Sequence, residues 1–368
     1  MRIFAWSFYN QKQQMNTIEK PTLLVDKTKA LSNLEMMSLK AKQAGVLFRP
    51  HFKTHQSAEI GAWFREFGVK AITVSSVDMA IYFAENGWND ITIAFPVNIP
   101  QWKDIDNLAT KINLNILVEN LDSVEFLDKT LNNCVGVFIE IDTGYPRTGI
   151  VAENFETIKE LADRIEKSKN LAFKGFLTHA GHTYKAKNRD EIIEIAQTAM
   201  KKMLDLKQFF KPHFPNLQLS WGDTPSCSLL SDFSGFDEIR PGNFVYYDEV
   251  QASLGSCSPE NIAVAVACPV VAVHPERKEL VIYGGAVHLS KDYVLINDTP
   301  HYGRVIEYKS YIENKPKTIG YISSLSQEHG IIRIDDPEIK IKIGDVVIVS
   351  PVHSCLTADL LKSFHVRT

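Results

Sequence analysis

The segment Arg49-Pro-His-Phe-Lys-Thr-His55 places one lysine beside an arginine and two histidines. A lysine that forms Schiff bases needs a neutral amine, so it benefits from burial and from neighbouring positive charge, both of which lower its pKa. Arg49 could supply such charge to Lys53. Lys53 is therefore a candidate for covalent chemistry, although a lysine taken at random is usually a solvated surface residue.

The tripeptide His353-Ser-Cys355 is a second candidate for chemistry. Residues two apart on an extended strand point to the same side, so this imidazole and this thiolate could share one metal ion. Nitrogen and sulfur donors suit zinc. Because His-x-Cys is common by chance, the pair by itself is a weak signal, and its meaning depends on the elements around it.

The elements that position Lys53 follow a repeating pattern. From Thr22 to Asp248 the chain alternates short β-rich runs with amphipathic stretches, which is typical of βα units around a parallel sheet. Eight strands are predicted, at Thr22–Asp26, Val46–Lys53, Ala71–Ser75, Ile91–Val97, Asn113–Glu119, Val135–Asp142, Leu171–His179 and Leu217–Asp223. The stretches between them have apolar residues at three- and four-residue spacing, which predicts helices. We therefore predict an α/β protein with a (β/α)8 TIM barrel.

In such a barrel the active site forms where strands end and the following loops begin. Lys53, Asp142, His179 and Asp223 all stand at predicted strand ends. Polar chemistry from four strands is therefore expected on one face of the barrel.

After Pro259 the pattern changes to β-like runs, which predicts a C-terminal all-β domain. The predicted organisation is an N-terminal extension over 1–20 that could pack with the β domain, a barrel over 21–258 and a β domain over 259–368. Residues 1–14 could be a wrongly assigned start, since Met15 would serve equally well, and we expect no chemistry from them.

Composition limits the possible partners. The formal net charge is -4 with scattered lysines and arginines, which gives no basic patch for nucleic acid. No apolar run approaches the roughly 20 residues of a membrane helix, and the N-terminus does not resemble a signal peptide. The odd set of five cysteines lacks framework spacing, which favours a reducing compartment. We therefore expect a cytoplasmic protein without nucleic-acid or membrane partners.

Several motifs in this order resemble the D-threonine aldolase and D-serine dehydratase group of fold-type III pyridoxal-phosphate enzymes, which is related to alanine racemase. Besides the lysine segment, the motifs are Asp142-Thr-Gly-Tyr-Pro-Arg-Thr-Gly149, Thr178-His-Ala-Gly-His-Thr-Tyr184, Trp221-Gly-Asp-Thr-Pro-Ser226, Glu238-Ile-Arg-Pro-Gly-Asn-Phe-Val-Tyr-Tyr-Asp248, Leu289-Ser-Lys-Asp292 and Pro351-Val-His-Ser-Cys-Leu-Thr357. Each motif alone is weak, but their order over nearly the whole chain is specific.

The resemblance implies that Lys53 holds pyridoxal 5'-phosphate covalently at the mouth of the barrel. It also implies cofactor contacts by His51, by Arg147 near the phenolic oxygen, and by His179 and Tyr184 beside the ring. Backbone donors in glycine-containing turns suit a phosphate. The implied phosphate-binding residues are Gly222, Asp223, Thr224, Gly242 and Asn243.

Structural alternatives exist for these assignments. Pro-Gly-Asn could be a plain turn, Arg147 could form a salt bridge with Asp142, and His179 could be a buried structural histidine. The family usually has a small hydroxyl residue where Asp223 stands. A carboxylate near a phosphate would repel it, so we expect Asp223 to offer its backbone N–H.

The resemblance to D-serine dehydratases implies that His353 and Cys355 bind zinc near the cofactor. Aldolase relatives tend to have a carboxylate in place of Cys355, which suits manganese or magnesium. The family also builds its active site from the barrel of one subunit and the β domain of another, which implies a homodimer.

The resulting hypothesis is a lyase that acts on D-3-hydroxy amino acids, most plausibly converting D-serine to pyruvate and ammonia. Lys53 would act as the base while the metal polarises the 3-hydroxyl. The first alternative is a D-threonine aldolase, which needs a base at the hydroxyl; His51, His55 and His179 are candidates. An amino-acid racemase would need no metal pair, and a non-catalytic cofactor carrier would lack the β domain.

Overall fold

The computed structural model describes residues 18–335 and 338–367. Residues 1–17 of the predicted N-terminal extension lie outside the described residues. The strands of the described part are β1 (Thr22–Asp26), β2 (Leu47–Phe48), β3 (Ile72–Val74), β4 (Asp90–Pro96), β5 (Asn113–Val118), β6 (Val135–Asp142), β7 (Ile150–Val151), β8 (Leu171–His179), β9 (Gln218–Gly222), β10 (Glu238–Ile239), β11 (Val264–His274), β12 (Glu279–Tyr283), β13 (Val294–Ile296), β14 (Thr299–His301), β15 (Gly303–Glu307), β16 (Thr318–Leu325), β17 (His329–Ile334), β18 (Val346–Pro351) and β19 (Phe364–Arg367).

The helices begin where the sequence provides caps. A serine or asparagine side chain accepts a backbone N–H three residues on at five of these starts, which satisfies a donor that the helix leaves unpaired. These cap residues are Ser57, Ser76, Asn120, Asn154 and Asn188. The described α-helices are α1 (Lys27–Gln43), α2 (Ala58–Glu66), α3 (Val77–Glu85), α4 (Trp102–Ala109), α5 (Leu121–Thr130), α6 (Phe155–Glu166), α7 (Arg189–Phe210), α8 (Thr224–Leu229), α9 (Glu249–Ser253), α10 (Ala286–Leu289), α11 (Tyr308–Ile312) and α12 (Ser354–Leu361). None of the described helices is long and apolar enough to cross a membrane.

Eight parallel strands form a closed barrel in the order β2-β10-β9-β8-β6-β5-β4-β3. A parallel bridge between His51 and Thr73 closes the ring between β2 and β3. At this bridge Phe52 N donates to Thr73 O at 2.8 Å, and Thr73 N donates to Pro50 O at 2.9 Å. The predicted (β/α)8 barrel is therefore confirmed.

The membership of the barrel differs from the prediction at one strand. Thr22–Asp26 was predicted as the first barrel strand, but β1 pairs antiparallel with β11 and parallel with β19 in the other sheet. The eighth barrel strand is instead the two-residue β10, which pairs with β2 and β9. An apolar run identifies a strand but does not identify its partners, and two residues are too few to give a strand pattern. Lys53 consequently follows the first barrel strand, not the second.

The second sheet is largely antiparallel, with the order β12-β17-β16-β15-β18-β11-β1-β19, and β12 also pairs with β11. This extra pairing closes six strands into a ring, with β1 and β19 added to its β11 side. Leu24, Ala267 and Ile348 lie in one of its buried clusters. The predicted all-β domain is confirmed as an architecture.

The chain divides into two compact units. One contains residues 31–245 and 254–257, and so holds the parallel barrel. The other contains the described residues up to 30, together with 246–253 and those from 258 onward, and so holds the β sheet.

Gly175 allows the close approach of β8 to β9. Its φ is +138°, and a Cβ atom there would lie 2.0 Å from Gln218 O.

We expect Gly175→Ala to destabilise the protein by about 3 kcal/mol or more, because the backbone must shift to relieve the overlap. Gly68→Ala is the matched control, since Gly68 also has a positive φ of +78° but no atom within 4 Å of the added carbon. It should cost only about 1 to 2 kcal/mol. Urea unfolding measures both, and equal losses would contradict this role of Gly175.

Candidate active site at the barrel mouth and candidate metal pair

Lys53 lies in the turn that follows the barrel bridge, and its side chain is exposed. The preceding residue, Phe52, is fully buried and packs on the rings of Phe64, Phe83 and Trp88, with centroid distances of 4.8, 4.9 and 5.0 Å. The Lys53 N–H donates to His51 Nδ1 at 3.3 Å. The lysine amine is therefore accessible while the backbone below it is firmly anchored.

Arg49 does not act as the expected positive neighbour of Lys53. It is 5% exposed, and its guanidinium donates to Glu238 Oε2 at 2.6 Å and also to Asp90. Two carboxylates thus neutralise its charge. The prediction was wrong because the sequence does not show that Asp90 and Glu238 converge on Arg49 from other strands.

Arg240, a residue to which sequence reasoning assigned no role, brings positive charge to the histidines around Lys53. Its guanidinium is buried and donates to Thr178 O at 2.6 Å and to Ser220 Oγ at 2.5 Å. Burial lowers the pKa of Arg240 to about 10, which leaves it charged at neutral pH. It stands in the motif Glu238-Ile-Arg-Pro-Gly, and an arginine directly before a Pro-Gly turn was the signal that could have identified it.

The histidines around Lys53 are neutral. Burial, followed by the positive charge of Lys53, lowers the pKa of His179 to about 3, and the same two causes lower the pKa of His51 well below its usual value. His179 Nδ1 lies 2.8 Å from Gly222 O. A carbonyl oxygen can only accept, so Nδ1 carries the hydrogen and Nε2 is left as an acceptor. His179 and His51 both lie in the surroundings of Lys53. Their contacts with the cofactor stay a prediction.

The two glycine turns implied for phosphate binding lie side by side. Gly242 N donates to Thr224 Oγ1 at 3.3 Å, and Thr224 N donates to the Tyr184 hydroxyl at 3.4 Å. A Cβ atom at Gly242 would lie 2.9 Å from His51 O, so a side chain there would close the space beside the lysine turn. A Cβ atom at Gly222 would lie 3.1 Å from the Arg240 guanidinium carbon. These glycines, with Asn243 starting a buried turn, form a cradle that fits an anionic group beside Arg240.

Asp223 uses its carboxylate within the protein. It caps α8 by accepting from Ser226 N at 2.7 Å, and it also accepts from Ser226 Oγ at 2.5 Å and Thr183 Oγ1 at 3.1 Å. Burial raises its pKa to about 6 despite these hydrogen bonds. Ser226 and Thr183 therefore hold the carboxylate of Asp223. These hydrogen bonds explain why an acidic residue is tolerated in a turn that is predicted to bind phosphate.

Aromatic rings and cations line the loop after β6. The Tyr145 ring lies 6.1 Å from the His179 ring, which lies 6.2 Å from the Tyr184 ring. The Arg147 guanidinium is 5.5 Å from the Tyr145 ring centroid. Asp142 Oδ1 accepts from the backbone N–H groups of Gly144 and Tyr145, at 2.8 and 2.7 Å. Asp142 thus orders the loop that presents Arg147 to solvent.

His353 and Cys355 are brought together, but not as neighbours on one strand. His353 is extended and immediately precedes α12, while Cys355 is already in that helix. The expected strand geometry was therefore wrong, because the N–H of Ser354 bonds to the Asp248 carboxylate at 2.9 Å and the chain turns into a helix. Burial lowers the pKa of His353. Interactions with Cys355, Asp248 and Asp292 outweigh the effect of burial and raise the pKa to about 10. The imidazole nitrogen of His353 and the sulfur of Cys355 are donors of the kind that zinc prefers.

A parallel barrel with an exposed lysine after its first strand, joined to an antiparallel β unit, defines an alanine-racemase-like protein. The chain belongs to that family: residues 25–250 match the family described as "Alanine racemase, N-terminal domain". Residues 263–367 match the family described as "Putative serine dehydratase domain".

Similar proteins cover nearly the whole chain. It is 30% identical to a D-serine dehydratase of Dictyostelium discoideum, over 96% of this chain and 94% of that protein. It is 25% identical to the D-threo-3-hydroxyaspartate dehydratase of Delftia sp. strain HT23, over 93% and 92%. The solved structure of that Delftia enzyme superposes with a TM-score of 0.87 at 22% identity, covering 95% of this chain and 94% of that one. A D-threonine aldolase from Filomicrobium marinum gives 0.80 at 18% identity, covering 94% and 90%, and shares the fold.

Buried neutral histidines make the stability of the barrel unit sensitive to acid. Burial lowers the pKa of His55 to about 3, and among the described residues its Nε2 has no hydrogen-bond partner. The unfolded chain takes up the proton near pH 6.5, so His55 contributes stability above that pH and loses it as the pH falls toward 3. We expect His55→Leu to reduce the decline of the unfolding free energy below pH 6.5, by up to about 1.4 kcal/mol per pH unit. Urea unfolding at pH 7.5, 6.5 and 5.5 tests this, and parallel curves for variant and wild type would contradict it.

Proposed function

We propose that this protein is a pyridoxal-phosphate-dependent lyase that eliminates the α-proton and the 3-hydroxyl of a D-3-hydroxy amino acid, with D-serine as the preferred substrate. The observation that carries the proposal is the placement of His353 directly before α12 and of Cys355 in the first turn of that helix, because their nitrogen and sulfur donors suit zinc. The similarity to the Dictyostelium D-serine dehydratase supports the same substrate.

Lys53 is the proposed covalent anchor and base. Its side chain is exposed at the barrel mouth, while Phe52 and Thr54 on either side are buried, so the amine can move without unpacking the turn. Pyridoxal phosphate, when bound, supplies an electron sink for the electron pair left at Cα. The Lys53 amine takes the α-proton.

The remaining mouth residues bind and orient. The glycine turns at Gly222 and Gly242 would lie beside the phosphate, and Arg240 adds a fixed positive charge close by. His179, held neutral by burial, offers a flat ring face and an acceptor at Nε2 without adding charge to the site.

His353 and Cys355 would hold the zinc. When bound there, zinc would supply Lewis-acid chemistry toward the 3-hydroxyl of the substrate. Loss of the α-proton and the 3-hydroxyl from D-serine, followed by hydrolysis, gives pyruvate and ammonia.

A second candidate substrate is D-threo-3-hydroxyaspartate. Two cations, Arg147 and Lys185, lie 5.5 and 5.6 Å from the Tyr145 ring centroid. They could bind the second carboxylate of a dicarboxylic substrate, and the Delftia relative is named for dehydration of that compound. Retro-aldol cleavage stays the alternative reaction, because it needs the same lysine and a proton acceptor at the hydroxyl.

Assembly and location are further parts of this proposal. The resemblance supports a homodimer with shared active sites. No disulfide joins any of the five cysteines, all of which lie in the described part of the chain, and this supports the reducing environment of the cytoplasm.

The first test is product identity from the purified protein supplied with pyridoxal phosphate and zinc. We expect pyruvate and ammonia from D-serine, none from L-serine, and at least a tenfold loss after a chelator removes the metal, restored by added zinc. Glycine and an aldehyde from D-threonine would establish the aldolase instead. Faster turnover of D-threo-3-hydroxyaspartate than of D-serine would establish the dicarboxylic substrate.

The role of Lys53 is tested by Lys53→Ala, which removes the anchor and the base together. We expect kcat to fall by about 10⁴-fold or more, since general-base catalysis alone contributes up to about that factor. The altered protein should also lose the visible absorbance of covalently bound cofactor. Lys70→Ala is the matched control, because Lys70 is exposed and precedes β3, at the opposite end of the barrel. Equal activity of the two variants would refute the assignment.

A further inference from the structure

Asp292 contacts the candidate metal ligand His353. Its Oδ2 atom lies 2.6 Å from His353 Nδ1. An ionised carboxylate can only accept hydrogen bonds, so the hydrogen of this bond belongs to Nδ1. A metal ion that binds His353 would therefore replace the proton of the other ring nitrogen, Nε2.

The loop that carries Asp292 is held to the helix that carries Cys355. Thr357 Oγ1, in α12, donates to Leu289 O at 3.4 Å at the end of α10. Ser290 follows in a left-handed conformation with φ +69°, and its hydroxyl accepts from Asp292 N at 3.3 Å. The backbone at Asp292 is therefore held by contacts within the β unit.

A second carboxylate, Asp248, holds the backbone between the two ligands. Asp248 is 1% exposed, and its Oδ2 accepts from Ser354 N at 2.9 Å and from Ser354 Oγ at 3.2 Å. Its Oδ1 accepts from Gln251 N at 3.0 Å. These bonds fix the position at which the chain changes from the extended residue His353 to the helical residue Cys355.

We propose that Asp292 is a positioning residue that selects the Nδ1–H form of His353 and directs its Nε2 to the metal, while Asp248 fixes the spacing of His353 and Cys355. This inference rests on the proposed metal site, and it adds two residues, Asp292 and Asp248, to that site. Carboxylates that hold metal-bound histidines in this way typically contribute a factor of 10 to 100 in metal affinity.

Zinc affinity of the full-length protein, measured by competition with a chelating indicator at pH 7.5, tests the proposal without any activity assay. We expect Asp292→Asn and Asp292→Ala each to weaken zinc binding about 10- to 100-fold. Asp298→Asn is the control, because Asp298 is exposed in the turn between β13 and β14 and makes the same change in net charge. It should bind zinc like the wild type.

The ring nitrogen that carries the hydrogen gives a second readout, which a merely structural role of Asp292 would not change. In ¹H–¹⁵N spectra of the zinc-bound protein we expect hydrogen on His353 Nδ1 in the wild type and a shifted or lost Nδ1–H signal in Asp292→Asn. Asp248→Asn should weaken zinc binding while leaving that signal in place. Circular dichroism confirms that each variant is folded.

The outcomes separate the inference from the proposed function. Zinc affinity unchanged in both Asp292 variants, or metal bound to Nδ1, would overturn the positioning role while His353→Ala still abolishes binding. If the wild type binds zinc no better than the double variant His353→Ala, Cys355→Ala, the metal site itself is wrong and the role of Asp292 falls with it.

Discussion

The hydrogen bonds around Thr73 hold the barrel closed and, with it, the lysine turn. Thr73 is fully buried; its N–H donates to Pro50 O, its carbonyl accepts from Phe52 N, and its hydroxyl donates to Arg49 O at 2.9 Å. A parallel barrel has no free edge only if its first and last neighbours pair in register. The same bonds that complete the ring therefore fix the backbone from which Lys53 projects.

Buried charged side chains lie near the bonds that close the barrel, and hydrogen bonds link these side chains into a network. Glu238 accepts from Arg49 and from Ser220 Oγ at 2.6 Å, and Ser220 in turn accepts from Arg240. Removing one member would leave a buried charge unpaired, which costs far more than the pair gains. The network explains why a positive group can stay charged beneath the mouth while the histidines beside it stay neutral.

The β unit carries the proposed metal ligands, whereas the barrel carries Lys53. His353 and Cys355, the proposed metal ligands, stand where an extended segment gives way to a helix, so their spacing depends on a turn and not on a regular repeat. The buried Asp248 carboxylate bonds to the backbone of that turn, and Asp292 contacts the His353 imidazole. The sequence alone shows that His353 and Cys355 offer nitrogen and sulfur donors. In our proposal their orientation depends on the carboxylates of Asp248 and Asp292.

The sequence by itself determined the alternation of strands and helices, the β-rich C-terminal part and the family, because hydrophobic periodicity and ordered motifs are local properties. It also identified the lysine, the glycine turns and the His–Cys pair by type. Only the tertiary structure decided that Thr22–Asp26 belongs to the β sheet, that Arg49 is neutralised and that Arg240 supplies the charge. Each of these depends on which distant segments pair: β1 with β11, and Arg49 with Asp90 and Glu238. Strand pairing and burial of charge are long-range events, and no short window of sequence contains both partners.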